Sequence, residues 1–113
     1  MKQRIKKILH DRCITATAAI AETGLSRNAF YLYQEKNYPI YSRFILKHSG
    51  DFIFTPEKFN KAIDKSGLTQ LQLWDKINIH NVTLSLFLSG KKRPSRAAGD
   101  YDSVRLFCKE FGV

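Results

Sequence analysis

Four residues in the first half of the chain, Ser26, Arg27, Asn28 and Tyr31, belong to types that hydrogen-bond to exposed edges of nucleic-acid bases. A guanidinium suits the two acceptors of guanine, and a carboxamide suits the donor and acceptor of adenine. A second concentration of chemistry is Lys91-Lys92-Arg93, three cations set between Gly90 and Pro94 and suited to phosphate. Lys36, at the start of Lys36-Asn37-Tyr38-Pro39, occupies a similar place at the end of the first half. Catalytic chemistry is not indicated. His10, His48 and His80 are scattered, and Asp100 and Asp102 between Ala97-Ala98-Gly99 and Ser103 read as a loop followed by a helix start. Cys13 and Cys108 have no close Cys or His at zinc-finger spacing, so both are expected to be reduced and largely buried. The chain is therefore expected to be no enzyme, with no metal, cofactor or small-molecule ligand.

The charge balance points the same way. Nineteen lysines and arginines against ten acidic residues give a formal charge of +9 over 113 residues, a bias toward polyanionic partners. With 43% apolar residues the chain can bury one compact core or two very small ones. No apolar stretch approaches the roughly 20 residues needed to cross a bilayer. The basic opening Met1 to Lys7 runs into Ile8, Leu9, His10 and Asp11, an amphipathic helix rather than a signal peptide. A cytoplasmic location and no membrane partner are the expectations.

The elements that must present these side chains come from an internal repeat. A shift of 54 places Ile5 on Phe59, Leu9 on Ile63, Ile14 on Leu68 and Thr15 on Thr69. It continues without a gap through Leu25 on Ile79, Phe30 on Leu84 and Tyr33 on Phe87. Between the halves, His48-Ser49-Gly50-Asp51 supplies a turn and Thr55-Pro56-Glu57 a helix start with Pro at its first position. Two units follow, 1–54 and 55–113. The apolar Phe52-Ile53-Phe54 argues for a packed rather than floppy junction, with short strands at 51–54 as an option.

In the second half, Phe59, Ala62 and Ile63 mark one helix, stopped at Ser66-Gly67. Thr69 is an N-cap for a helix over Gln70 to Ile77, with Leu73 and Ile77 on one face. Asn78 tolerates the left-handed turn that follows, Ile79 plugs inward, and a third helix buries Leu84, Phe87 and Leu88. In the first half, helices are expected over residues 3–14, Thr15 to Thr23 and 26–34, with Gly24 as the turn and Tyr41, Phe44, Ile45 and Leu46 in a closing helix. Leu25, Phe30 and Tyr33 take plug and core positions, which turns Ser26, Arg27, Asn28 and Tyr31 outward.

Leu68-Thr69-Gln70, Leu73, Ile79, Leu84 and Ser89-Gly90-Lys91-Lys92-Arg93-Pro94-Ser95 resemble the lambda-repressor and Cro-like helix-turn-helix family over residues 58–111. Residues 3–50 carry a weaker second copy, and Gly24 to Tyr31 also looks like the turn and recognition helix of TetR-type regulators. The resemblance implies that residues 80–88 form a helix lying in the major groove, while the preceding helix crosses the backbone. Its outward face would comprise His80, Asn81, Val82 and Ser85, with Asn81 suited to adenine. Thr69 and Gln70, at the family's helix start, would contact phosphate or base, and Lys91, Lys92 and Arg93 would flank them on the phosphates. Two positions depart from the family pattern: Trp74 stands where a small Ala is usual, and Asn78 replaces the turn Gly. An indole there must either widen the angle between the paired helices or point outward.

The resulting expectation is an all-α protein of tandem helix-turn-helix units, two small helical bundles packed together. Its implied function is sequence-specific binding of double-stranded DNA as a transcriptional regulator, a repressor of phage or mobile-element type, with a homodimer as one way to pair half-sites. The alternative is a small basic inhibitor that turns the same scaffold against an acidic protein, with Trp74 and Tyr31 as anchors.

Overall fold

The computed structural model describes residues 2–34 and 38–113; Lys36 lies outside them. The described residues form eight helices and no strand, so the short strands expected at 51–54 are not formed. The chain divides into two compact units, Met1–Ile53 and Phe54–Val113.

Unit 1 contains α1 (Lys2–Asp11), α2 (Ala16–Thr23), α3 (Arg27–Leu32) and α4 (Pro39–His48). Its core joins Ile5 and Ile8 of α1 to Ala19, Phe30, Tyr41, Phe44 and Ile45, with Ile14 closing it. Helix α1 ends earlier than the apolar pattern suggests. Cys13 adopts a left-handed conformation (φ 56°), and Ile14 N–H then bonds Leu9 O at 2.9 Å, folding the chain back under the helix. Helix α3 is also shorter than expected. It stops at Leu32, so Tyr33 is not on a helical core face but 37% exposed, edge-on to Tyr38 with centroids 5.5 Å apart. The Tyr41 hydroxyl fixes that end by donating to Phe30 O at 2.9 Å.

Two side chains hold the outer edge of unit 1. Arg12 Nε donates to His48 O at 2.6 Å and its Nη2 donates to Ser49 O at 3.1 Å, tying the end of α1 to the end of α4. The buried His48 ring lies between two carboxylates, with Nδ1 2.6 Å from Asp51 and Nε2 2.9 Å from Glu22. Lys47 Nζ approaches the same Glu22 at 2.7 Å. Burial pushes the Glu22 carboxyl up, but the hydrogen bonds from Lys47 and His48 outweigh it and hold it below its ordinary value.

Unit 2 contains α5 (Pro56–Ser66), α6 (Gln70–Ile77), α7 (Asn81–Ser89) and α8 (Asp100–Glu110). Helix α5 packs on α7 and α8, and α6 on α8. Phe54, Phe59, Phe87 and Phe107 meet in the core, Phe59 and Phe107 edge to face with centroids 6.1 Å apart. Asp100 and Asp102 sit in the first turn of α8, where acidic groups face the positive end of the helix.

The repeat is visible in the caps. Thr15 and Thr69 cap α2 and α6, Gly24 and Asn78 form the left-handed turns, and Ser26 and His80 cap α3 and α7. The register is lost afterwards. Helix α4 begins at Pro39, but residues 91–99 form a longer connection before α8.

Candidate nucleic-acid interface

The start of α6 is fixed by a reciprocal pair. Thr69 Oγ1 accepts from Gln72 N–H at 3.3 Å, and Gln72 Oε1 accepts from Thr69 N–H at 2.9 Å, which satisfies two helix-end donors at once. Gln72 is thereby committed to the helix end. Gln70 instead reaches across to α7, where its Nε2 donates to Asn81 Oδ1 at 2.8 Å. Between the helices, Asn78 takes φ 60° and ψ 39° and its N–H bonds Trp74 O at 2.8 Å, while Ile79 is buried. An Asn here adopts the left-handed turn at a cost that a β-branched residue could not meet.

Helix α7 is capped by a ring. His80 Nδ1 accepts from Val82 N–H at 3.2 Å, and the imidazole stacks on the Trp74 indole with centroids 6.5 Å apart and planes 23° apart. Trp74 therefore points outward, 37% exposed, rather than wedging the paired helices apart. Gln70 and Trp74 stand one helical turn apart on α6, so one face of that helix supports two successive residues at the start of α7.

The inward face of α7 buries Leu84 and Phe87, with Leu88 half-buried. His80, Val82 and Ser85 are exposed, and Asn81 is half-buried by its partner. Asn81 borders two grooves. One, of about 660 Å³, runs past Gln70, Ser85 and Asn60; the other, of about 490 Å³, runs past Trp74, Asp75 and His80.

At the far end of α7, Gly90 (φ 78°) turns the chain so that Lys91 and Lys92 N–H both reach Leu86 O, at 3.0 and 3.3 Å. The two lysine side chains are exposed, beside the negative end of a helix. Arg93 faces differently: its Nη2 donates to Phe54 O at 2.6 Å and its guanidinium lies 5.1 Å from the centre of the Phe54 ring. It helps hold Phe54 in unit 2. Pro94, next to it, is fully buried.

In unit 1 the corresponding residues are also brought to one surface. Ser26 Oγ accepts from Ala29 N–H at 3.1 Å, so the hydroxyl serves as the cap of α3. Arg27, first in that helix, donates from Nη2 to Thr17 Oγ1 of α2 at 3.3 Å, as Asn81, first in α7, pairs with Gln70 of α6. Asn28 and Tyr31 are exposed, Tyr31 lying edge-on to Phe30. Helix α3 has six residues against nine in α7, so it offers a shorter surface.

Two groups outside the expected set emerge from long-range contacts. His48 with its carboxylates was not distinguishable in the sequence from a solvated histidine, because Glu22 is 26 residues away. The support of His80 by Trp74 had a visible signal, the misplaced indole, but its partner did not. Among the described residues no group of His, Cys, Asp and Glu could hold a metal ion, and no helix is long and apolar enough to cross a membrane. The chain has no match among family models, curated proteins or solved structures.

Proposed function

We propose that this chain binds double-stranded DNA sequence-specifically and acts as a transcriptional regulator, repressing by occupation of a promoter. The observation that carries this reading is the Gln70–Asn81 pair at the exposed start of α7. A carboxamide held by a neighbouring side chain has lost much of its rotational freedom, and with Oδ1 engaged by Gln70 its amide N–H₂ is directed to an outside acceptor. Adenine in the major groove offers N7 as that acceptor and N6 as a donor to the remaining lone pair of Oδ1. Ser85, one turn along, extends the same polar strip.

Lys91 and Lys92 contribute phosphate contacts, supported by the overall +9 charge. Thr69 and Gln70 lie where the N-terminal amides of α6 can face a phosphate. In unit 1, Arg27 and Asn28 supply a second, smaller base-reading surface, with Ser26 and Tyr31 beside them. A chain with two such surfaces can occupy two half-sites, or unit 2 alone can do so as a homodimer.

The deciding experiment selects bound sequences from random duplexes at low ionic strength, then footprints the enriched site. Asn81→Ala with Ser85→Ala should weaken the sequence preference while leaving the helical content intact. A second reading is favoured by Leu71, 72% exposed on α6 near Trp74: these apolar groups would anchor a protein partner whose acidic surroundings match the +9 charge of the chain. Under that reading the Asn81 and Ser85 substitutions leave partner binding unchanged and Leu71→Ala with Trp74→Ala removes it.

A further inference from the structure

Val82 is 60% exposed at the second position of α7. Hydrogen bonding gives it no role, and a β-branched residue is an indifferent choice for an exposed helical position. Its backbone is nevertheless fixed at the helix start. Its N–H is engaged by His80 Nδ1 at 3.2 Å, and His80 is in turn stacked on Trp74. Branching at Cβ leaves one dominant side-chain rotamer in a helix, so the two methyl groups project in a fixed direction.

A rigid apolar group next to a held carboxamide has a specific complement. Base edges in the major groove are polar except at one place, the C5-methyl of thymine. Neighbouring α-carbons are about 3.8 Å apart and stacked base pairs about 3.4 Å apart, so residues 81 and 82 can address the same or adjoining base pairs. We propose that Val82 reads a thymine methyl within about one base pair of the adenine read by Asn81, with Trp74 and His80 as the positioning residues that aim it.

This inference rests on the proposed DNA binding by unit 2 and narrows its ligand to a site containing adenine with a thymine methyl beside it. It also gives Trp74 a role. Gln70 and Trp74, neighbours on one face of α6, then position a polar reader and an apolar reader respectively.

The test replaces thymine by deoxyuridine, one position at a time, in the duplex selected by the intact chain. Deoxyuridine lacks only the methyl group. One replacement next to the adenine should weaken binding about fourfold, the ratio expected for one methyl removed from an apolar contact. Val82→Ala should erase that sensitivity yet keep sensitivity to 7-deazaadenine at the Asn81 contact. Trp74→Ala should reduce the deoxyuridine effect with helical content unchanged.

Specific binding that is indifferent to every thymine methyl overturns the assignment to Val82 and leaves the DNA reading standing. So does a Val82→Ala chain that retains the full deoxyuridine effect. Failure to bind any duplex in preference to another overturns both. Should Val82→Ala not fold, the deoxyuridine series on the unaltered chain decides alone.

Discussion

Gln70 Nε2 donates to Asn81 Oδ1 at 2.8 Å across the turn between α6 and α7, so the carboxamide at the head of α7 is held from the side. Asn81→Ala should weaken binding to the selected duplex by about 1–3 kcal/mol, the usual worth of a bidentate base contact. Gln70→Ala should cost about 1 kcal/mol through lost orientation, and should cost less in the Asn81→Ala background. A double-mutant cycle on duplex affinity measures the difference; simple additivity would count against the pairing.

Lys91 and Lys92 should be separable from Arg93 by salt. Each Lys→Ala substitution should reduce the slope of log affinity against log salt by about 0.9 and leave stability unchanged. Arg93→Ala should instead lower the stability of unit 2 by about 2 kcal/mol, because its guanidinium bonds Phe54 O at 2.6 Å. Denaturant unfolding followed by the fluorescence of Trp74, the only tryptophan in the chain, reports on this unit.

Asn78 holds φ 60° at the turn between the paired helices. Asn78→Ala should destabilise unit 2 by about 1 kcal/mol, the cost of a left-handed conformation for a residue with Cβ and no local hydrogen-bonding group. Asn78→Gly should be neutral or stabilising. The same fluorescence transition ranks the three chains.

Acid should loosen unit 1. The Glu22 carboxyl is held below its ordinary value of 4.5 against the effect of burial, by Lys47 and His48. A depressed carboxylate contributes stability that is complete above 4.5 and lost as the pH falls below it through the folded-state value. Glu22→Gln should flatten that acid limb while reducing stability at neutral pH. Hydrogen exchange of the α2 and α4 amides as a function of pH gives the comparison, and an unchanged acid limb in the variant would exclude Glu22 as its source.

Cys108 is fully buried, and burial pushes its thiol up to about 11, offset only slightly by Lys58. At pH 8 the native chain should therefore resist alkylation at this residue, because the thiolate is the nucleophile. The unfolded chain should react readily. Mass spectrometry after iodoacetamide treatment, with and without denaturant, distinguishes Cys108 from Cys13; rapid native modification of Cys108 would contradict the buried placement.

Short-range structure was legible because it is encoded in residue identity. The cap at Thr69 and the turns at Gly24, Gly67 and Asn78 each depend on one side chain and the next few backbone groups, whereas Ser26, expected to face a base, has its hydroxyl engaged as the cap of α3. Helical spacing of apolar residues likewise marked Phe59, Leu73, Leu84 and Phe87 as buried. What escaped was set by distant contacts. The end of α3 at Leu32 is held by the Tyr41 hydroxyl, and nothing local requires Tyr33 to leave the core. Arg93 read as one of three equivalent cations, yet Phe54, 39 residues away, takes its guanidinium. At the candidate interface, the outward placement of Val82 and Ser85 was implied by the family resemblance, whereas the Gln70–Asn81 bond needed coordinates.

The guanidinium of Arg12 grips the carbonyls of His48 and Ser49 from 36 and 37 positions earlier in the chain. Release of that grip frees the end of the first helix and the exit of the fourth together, so these two margins of unit 1 open as one rather than peeling away separately. A protease acting near Ser49 would have to wait for the opening of both segments at once, and the rate of cleavage there would clock the concerted opening of the unit rather than the fraying of one terminus.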